Sequence, residues 1–181
     1  LSSLRQGDCS MALDRVRIFD TTLRDGEQTV GVSFHPEEKL EMAKAMESMG
    51  IDIIEAGFAA SSAGEFKSVS DIAREVRKST VCTLARCVPS DIDLGAKAIE
   101  KAAQGRIHVF IATSPVHMLH KLNMAPDEVF ETARASIRQA RNFCGDIEFS
   151  CEDATRSDRE FLYRIVEMAI KEGATTINLP D

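Results

Sequence analysis

Short runs rich in β-branched residues alternate with longer amphipathic stretches from Val16 to the end of the chain, and this rhythm restricts the molecule to folds built from βαβ units. The runs at 16–20, 52–58, 80–86, 107–112, 147–151 and 175–179 read as six strands. The intervening stretches at 36–49, 64–77, 91–103, 126–143 and 158–172 read as five helices. Pro36 and Pro126 suit a first helical turn, whose amide hydrogens have no intrahelical partner to lose. Ser157-Asp158-Arg159-Glu160 has capping-box spacing, and Gly50 and Gly173 suit the left-handed residue that ends a helix. In the first helix Leu40, Ala43, Met46 and Met49 share one stripe, which is expected to face the sheet.

Strands apolar on both faces and joined by helices imply an α/β protein with a parallel sheet under helices, either doubly wound or closed into a barrel. Units of about 30 residues fit a (β/α)8 TIM barrel, whose complete form takes about 250 residues. Residues 15–181 then make up roughly three quarters of such a barrel, its amino-terminal part. Residues 1–14 read as a disordered leader or appended segment, and no linker, low-complexity tract or repeat marks a second domain.

Charge and cysteine content narrow the function classes. A net charge of −7 leaves no concentrated basic face for phosphates, which argues against nucleic acid as a partner. Five cysteines without a Cys-x-x-Cys pair indicate neither a disulfide framework nor a zinc knuckle, and fit a reducing, cytoplasmic setting. No apolar run approaches the ~18 residues of a membrane span.

The candidate chemistry sits at strand ends, where parallel α/β folds place their sites. Phe19-Asp20-Thr21-Thr22-Leu23-Arg24-Asp25-Gly26-Glu27-Gln28 runs a strand into a charged loop. Asp25 is a candidate metal ligand there, and Arg24 a candidate electrophile for negative charge on a substrate oxygen; the alternative is a surface ion pair. Glu55, alone in an apolar strand, needs a cation or donor if buried, and Arg24 is one possible partner; the alternative is a solvated strand tip with Glu55 merely exposed. His108 shares a strand face with Phe110 and reads either as a satisfied core histidine or as a substrate contact. Alternation sends Glu148, Ser150 and Glu152 to one side of the fifth strand, with Ser150 and Glu152 nearer the loop. In the last strand Asn178 and Pro180 share a face; Asn178 is either a donor to substrate or a turn residue. Walker, dinucleotide and Gly-x-Ser-x-Gly fingerprints are absent.

The blocks Asp20 to Gln28, Leu84 to Val88, His108 to Ser114, Glu148 to Asp153 and Thr175 to Asp181, in this order, resemble the alpha-isopropylmalate synthase/homocitrate synthase family of metal-dependent TIM barrels. The resemblance implies an acyltransferase that condenses acetyl-CoA with 2-ketoisovalerate to 2-isopropylmalate and CoA, the first committed step of leucine biosynthesis. It implies a divalent ion, Mg, Mn or Zn, on Asp25, with Arg24, Glu55 and Glu152 as catalytic groups. Leu84, His108, Phe110, Ser150, Asn178 and Pro180 match keto-acid pocket positions, and a homodimer is implied at full length. The family's remaining metal ligands, a His-x-His pair, have no match in this sequence, so this chain alone is expected to bind metal weakly and to be inactive. The alternatives are a citramalate or homocitrate synthase, or a non-catalytic truncated product; Asp25 disfavours homocitrate synthase, whose usual pattern has glutamate there.

Overall fold

The structure, a computed structural model, describes residues 15–180, so the expected leader at 1–14 lies outside the described residues. Six strands alternate with helices: β1 (Phe19–Asp20), α1 (Pro36–Met49), β2 (Ile53–Gly57), α2 (Ala63–Glu75), β3 (Thr80–Arg86), α3 (Pro89–Ala98), β4 (Gly105–Ala112), α4 (Pro115–His117), α5 (Pro126–Arg141), β5 (Asp146–Glu152), α6 (Arg159–Lys171) and β6 (Thr176–Asn178). All neighbours are parallel, and strand order in the sheet equals chain order. A doubly wound sheet reverses its strand order at a switch point; this one never does, which is the topology of a (β/α) barrel. Among the described residues the barrel is incomplete, with β1 and β6 as its two edges.

The helix ends follow local chemistry. The side chain of Glu38 accepts the His35 amide at 2.7 Å ahead of Pro36, and Gly50 ends α1 in the left-handed region at φ 87°. That exit is why one expectation fails: Met49 is 72% exposed, because the chain turns away before the stripe reaches it. The buried face of α1 carries Lys39, Ala43 and Met46 instead. At α6 the cap is Asp158, which accepts the Phe161 amide at 2.9 Å, and not Ser157, whose hydroxyl is engaged by Asp153 and Thr113. β1 is shorter than the expected 16–20 because the Asp52 side chain takes the Ile18 amide at 2.9 Å. The helical segment after β4, α4 followed by a π-helical turn at Met118–Leu122, was not expected from periodicity.

The sheet has two buried faces. The residues of β3, β4 and β5 that point to the helices are apolar except Thr83, whose methyl lies against Gly95 of α3: Val81 and Ala85, then Ile107, Val109 and Ile111, then Ile147, Phe149 and Cys151. They pack with Val69, Ile72, Ile92, Val129, Ile137 and Ile165 of the helices. The opposite face, the interior of a barrel, carries Arg106, His108, Glu148 and Ser150, all buried. In β2 the register slips between Glu55 and Gly57, leaving Ala56 as the extra residue of a bulge. Gly57 has φ 155°, and a Cβ there would come within 3.1 Å of Val69 Cγ2 as well as meeting the Glu65 carboxylate, so glycine suits the close approach of α2 to the strand.

Candidate active site

The loop after β1 is wound tightly: the amides of Arg24, Asp25 and Gly26 all donate to the Thr21 carbonyl, at 3.1, 2.8 and 3.2 Å. Leu23, fully buried, pins the loop from below. Arg24 then reaches sideways, its Nε donating to Glu55 Oε2 at 2.6 Å and its Nη1 to Asp25 Oδ1 at 2.8 Å. The surface ion-pair alternative therefore gives way to a half-buried guanidinium locked between two carboxylates.

Glu55 has no exposed surface, and its second oxygen meets His108 Nδ1 at 2.7 Å. Burial works to raise its pKa, but the hydrogen bonds and charges of His108 and Arg24 outweigh burial and hold the carboxyl below the ordinary glutamate value. Glu55 is thus an anion, and an anionic carboxylate only accepts, so His108 Nδ1 carries a proton. His108 Nε2 faces Ser150 Oγ at 2.6 Å, and the Phe19 ring meets the imidazole edge-on at 6.2 Å. Deeper in the interior Glu148 accepts from Arg106 Nη1 and Asn178 Nδ2, both at 3.0 Å. One hydrogen-bonded chain so joins Asp25 and Arg24 of the loop to Glu55, His108 and Ser150 on three strands, β2, β4 and β5.

A cavity of about 490 Å³ opens at the carboxyl ends of the strands above this chain. Arg24 and Asp25 line it from the first loop, Leu84, His108 and Phe110 from β3 and β4, Ser150 and Glu152 from β5, and Asn178 and Pro180 from the β6 end. Glu55 is buried behind Arg24. Every residue singled out from the sequence is thereby brought to one place. Two lining residues were missed there, Gln28 and Lys121. Gln28 closes the same motif block as Asp25. Lys121 sits on the π-helical turn and holds Glu152 through both carboxylate oxygens, at 2.6 and 2.8 Å. A larger groove of about 830 Å³ runs beside α3 and the start of β4; its charged lining, Asp93, Lys97 and Glu100, is ordinary exposed helix surface.

Two places offer donors for a metal. Glu55, Cys82 and His108 present one ligand atom each within 4.8 Å of one another. Two of the three already hold partners: both Glu55 oxygens and both His108 nitrogens are hydrogen-bonded. Without a cation beside it, the Cys82 thiol is pushed well above its ordinary pKa by burial and by the neighbouring carboxylates Glu55 and Glu148, a shift that a bound metal would oppose. That trio is hydrogen-bonded as it stands and is also a possible metal site. Asp25 offers a second kind of donor, a hard carboxylate oxygen: its side chain is 61% exposed, it lines the cavity, and only Oδ1 is taken by Arg24 among the described residues.

The HMGL-like family matches residues 15–181. The chain is 59% identical over 168 residues to the 2-isopropylmalate synthase of Aquifex aeolicus (strain VF5), which covers 93% of this chain and 32% of that protein. It is 58% identical over 168 residues to the 2-isopropylmalate synthase of Caulobacter vibrioides (strain NA1000 / CB15N), again covering 93% and 32%. The chain thus spans about a third of the length of the curated relatives it matches. Its fold is similar to the crystal structure of a Bacillus subtilis HMG-CoA lyase, with a TM-score of 0.70, 18% identity, and coverage of 92% of this chain and 58% of that one. A second lyase, from Acinetobacter baumannii and in complex with coenzyme A and 3-methylmalate, gives a TM-score of 0.65 at 15% identity, covering 90% and 55%.

Proposed function

The chain belongs to the HMGL-like family, and on that premise we propose that it is the part of a 2-isopropylmalate synthase that carries the keto-acid half of the active site. The observation that carries this reading is the 59% identity over 168 residues to a protein named for that activity, against 18% to a lyase of the same fold. The reaction joins the methyl carbon of acetyl-CoA to the keto carbon of 2-ketoisovalerate and releases CoA as the thioester is hydrolysed.

In this reading Arg24 spends Nε on Glu55 and Nη1 on Asp25 and offers Nη2 to the keto oxygen, where negative charge builds as the new C–C bond forms. Glu55 keeps the guanidinium fork turned toward the cavity and fixes the proton of His108 on Nδ1. His108 and Ser150 present polar atoms to the keto acid, while Leu84 and Phe110 supply apolar surface for its branched end. Asn178 and Pro180 close the far side. Glu152, steadied by Lys121, assists removal of the acetyl proton. A divalent metal on Asp25, completed by ligands from other parts of the longer protein, supplies Lewis-acid polarisation of the keto acid when bound. Among the described residues Cys82, Cys87, Cys144 and Cys151 are free, which suits a reducing cytoplasm, and the family resemblance adds a homodimer at full length.

The test is CoA release by a protein with the full length of the relatives, supplied with acetyl-CoA, a divalent metal and, in turn, 2-ketoisovalerate, pyruvate and 2-ketoglutarate. The proposal expects 2-ketoisovalerate to give the highest kcat/KM. Preference for pyruvate moves the chain to citramalate synthesis, and no CoA release with any keto acid overturns the reading.

A further inference from the structure

Lys39 has only 1% of its surface exposed, yet it stands on α1, does not line the cavity and takes no part in the chemistry above. Its ammonium is held by Glu27 Oε2 at 2.5 Å and by Glu65 Oε1 at 2.6 Å. Both partners lead directly to site residues. Glu27 lies two residues beyond Asp25, and its other oxygen accepts the Phe34 amide at 3.1 Å, so it spans the loop. Glu65 stands in the first turn of α2, with its second oxygen over Gly57, two residues beyond Glu55.

The loop needs such a tie. From Arg24 to His35 no residue is buried, and Val30 is fully exposed, so the fully buried apolar anchor of the segment is Leu23, just ahead of it. A single 3-10 turn, Gly26–Gln28, is its only regular structure. The position of Asp25 therefore depends on polar contacts. At the front Arg24 clasps Glu55; at the back Lys39 joins Glu27 to Glu65. The two ties run in parallel between the β1 loop and the β2–α2 corner, and together they set the separation of Asp25 from Glu55. An apolar side chain of similar length, such as methionine, would fill the space under α1 as well, so the ammonium is not needed for packing.

We infer that Lys39 is a positioning residue: its buried ammonium, bridging Glu27 and Glu65, holds the Arg24-Asp25 loop in register with Glu55. The inference rests on the reading above that Arg24 and Asp25 act on the substrate, but its physical core, the order of the loop, is measured without turnover.

The experiment is native-state amide hydrogen exchange on the full-length protein and its Lys39→Met variant, comparing residues 24–29 with the amides of β3 to β5, alongside steady-state kinetics. A positioning role predicts at least tenfold faster exchange at 24–29 with the strand amides unchanged. It also predicts a fall in kcat of about tenfold with little change in the KM for acetyl-CoA. Unchanged loop exchange overturns the inference, and so does equal loss of protection in loop and strands, which marks plain loss of stability. If Lys39→Met does not fold, Glu27→Ala, which leaves Lys39 paired with Glu65, must give the same local loosening; wild-type exchange at 24–29 in that variant overturns the inference. If the wild-type protein releases no CoA from any keto acid, the proposed function fails while the exchange result still decides the role of Lys39.

Discussion

Phe149 and Ser150 are neighbours in one strand, both are buried, and they face opposite worlds. Phe149 points to the helices among aliphatic side chains, where burial itself is the stabilising force. Ser150 points to the barrel interior, where His108, Glu55, Glu148 and Arg106 are buried at a cost that hydrogen bonds and ion pairs only offset. The helix-facing side holds the sheet up. The interior spends some of that stability on a constellation of charges kept apart from water. Burial alone therefore says nothing about role; the chemistry of what is buried does.

The comparison breaks most sharply at Phe149. Phe149→Ala removes a fully buried ring and should cost about 3–5 kcal/mol of stability, read as a lower urea midpoint. Arg24→Lys should do the reverse. A point charge cannot clasp Glu55 and Asp25 and still address a substrate oxygen, so kcat falls by about 100-fold or more while the urea midpoint moves little.

Glu55 sharpens the contrast through pH. Its carboxyl lies below the ordinary value in the folded protein, because His108 and Arg24 overcome the opposing effect of burial. A depressed carboxylate contributes stability at pH above its unfolded pKa and loses it as pH falls through the folded pKa. Glu55→Gln should therefore flatten the acid side of the stability profile below about pH 4, a change that no helix-facing substitution produces. The smallest effect belongs to Ser150→Ala, which removes one partner of His108 and should cost about 1 kcal/mol in denaturant unfolding. In synthase assays it should raise the KM for the keto acid while leaving that for acetyl-CoA near wild type. A loss of stability as large as that of Phe149→Ala would dissolve the distinction between the two faces.

Much of this arrangement was legible in the sequence because it is local. Period-two alternation placed His108 with Phe110 and Ser150 with Glu152, and α1 and β3 begin and end at the expected residues. A strand end drew attention to Arg24 and Asp25, and a lone carboxylate in an apolar strand to Glu55; their meeting in space followed from the parallel order of β1 and β2. What escaped depends on partners distant in sequence. Lys39, a charged residue on an amphipathic helix, reads as solvent-facing until Glu65, 26 residues on, is folded over it. Lys121 joins the cavity through Glu152, 31 residues away, from a π-helical turn that no periodic pattern announces. Met49 misled in the other direction, since a stripe drawn along α1 takes no account of the left-handed exit at Gly50.

The unreversed strand order has a consequence for how the molecule is made. Every strand from β2 onward pairs with the strand that left the ribosome just before it, with one helical excursion between them. Pairings so close in sequence keep loop-closure costs low for a parallel sheet. The chain can grow by accretion, each new strand docking on a template already in place. The Arg24-Asp25 loop, synthesised early, then waits for its surroundings: first Glu55, then His108 and Ser150, with Asn178 and Pro180 last.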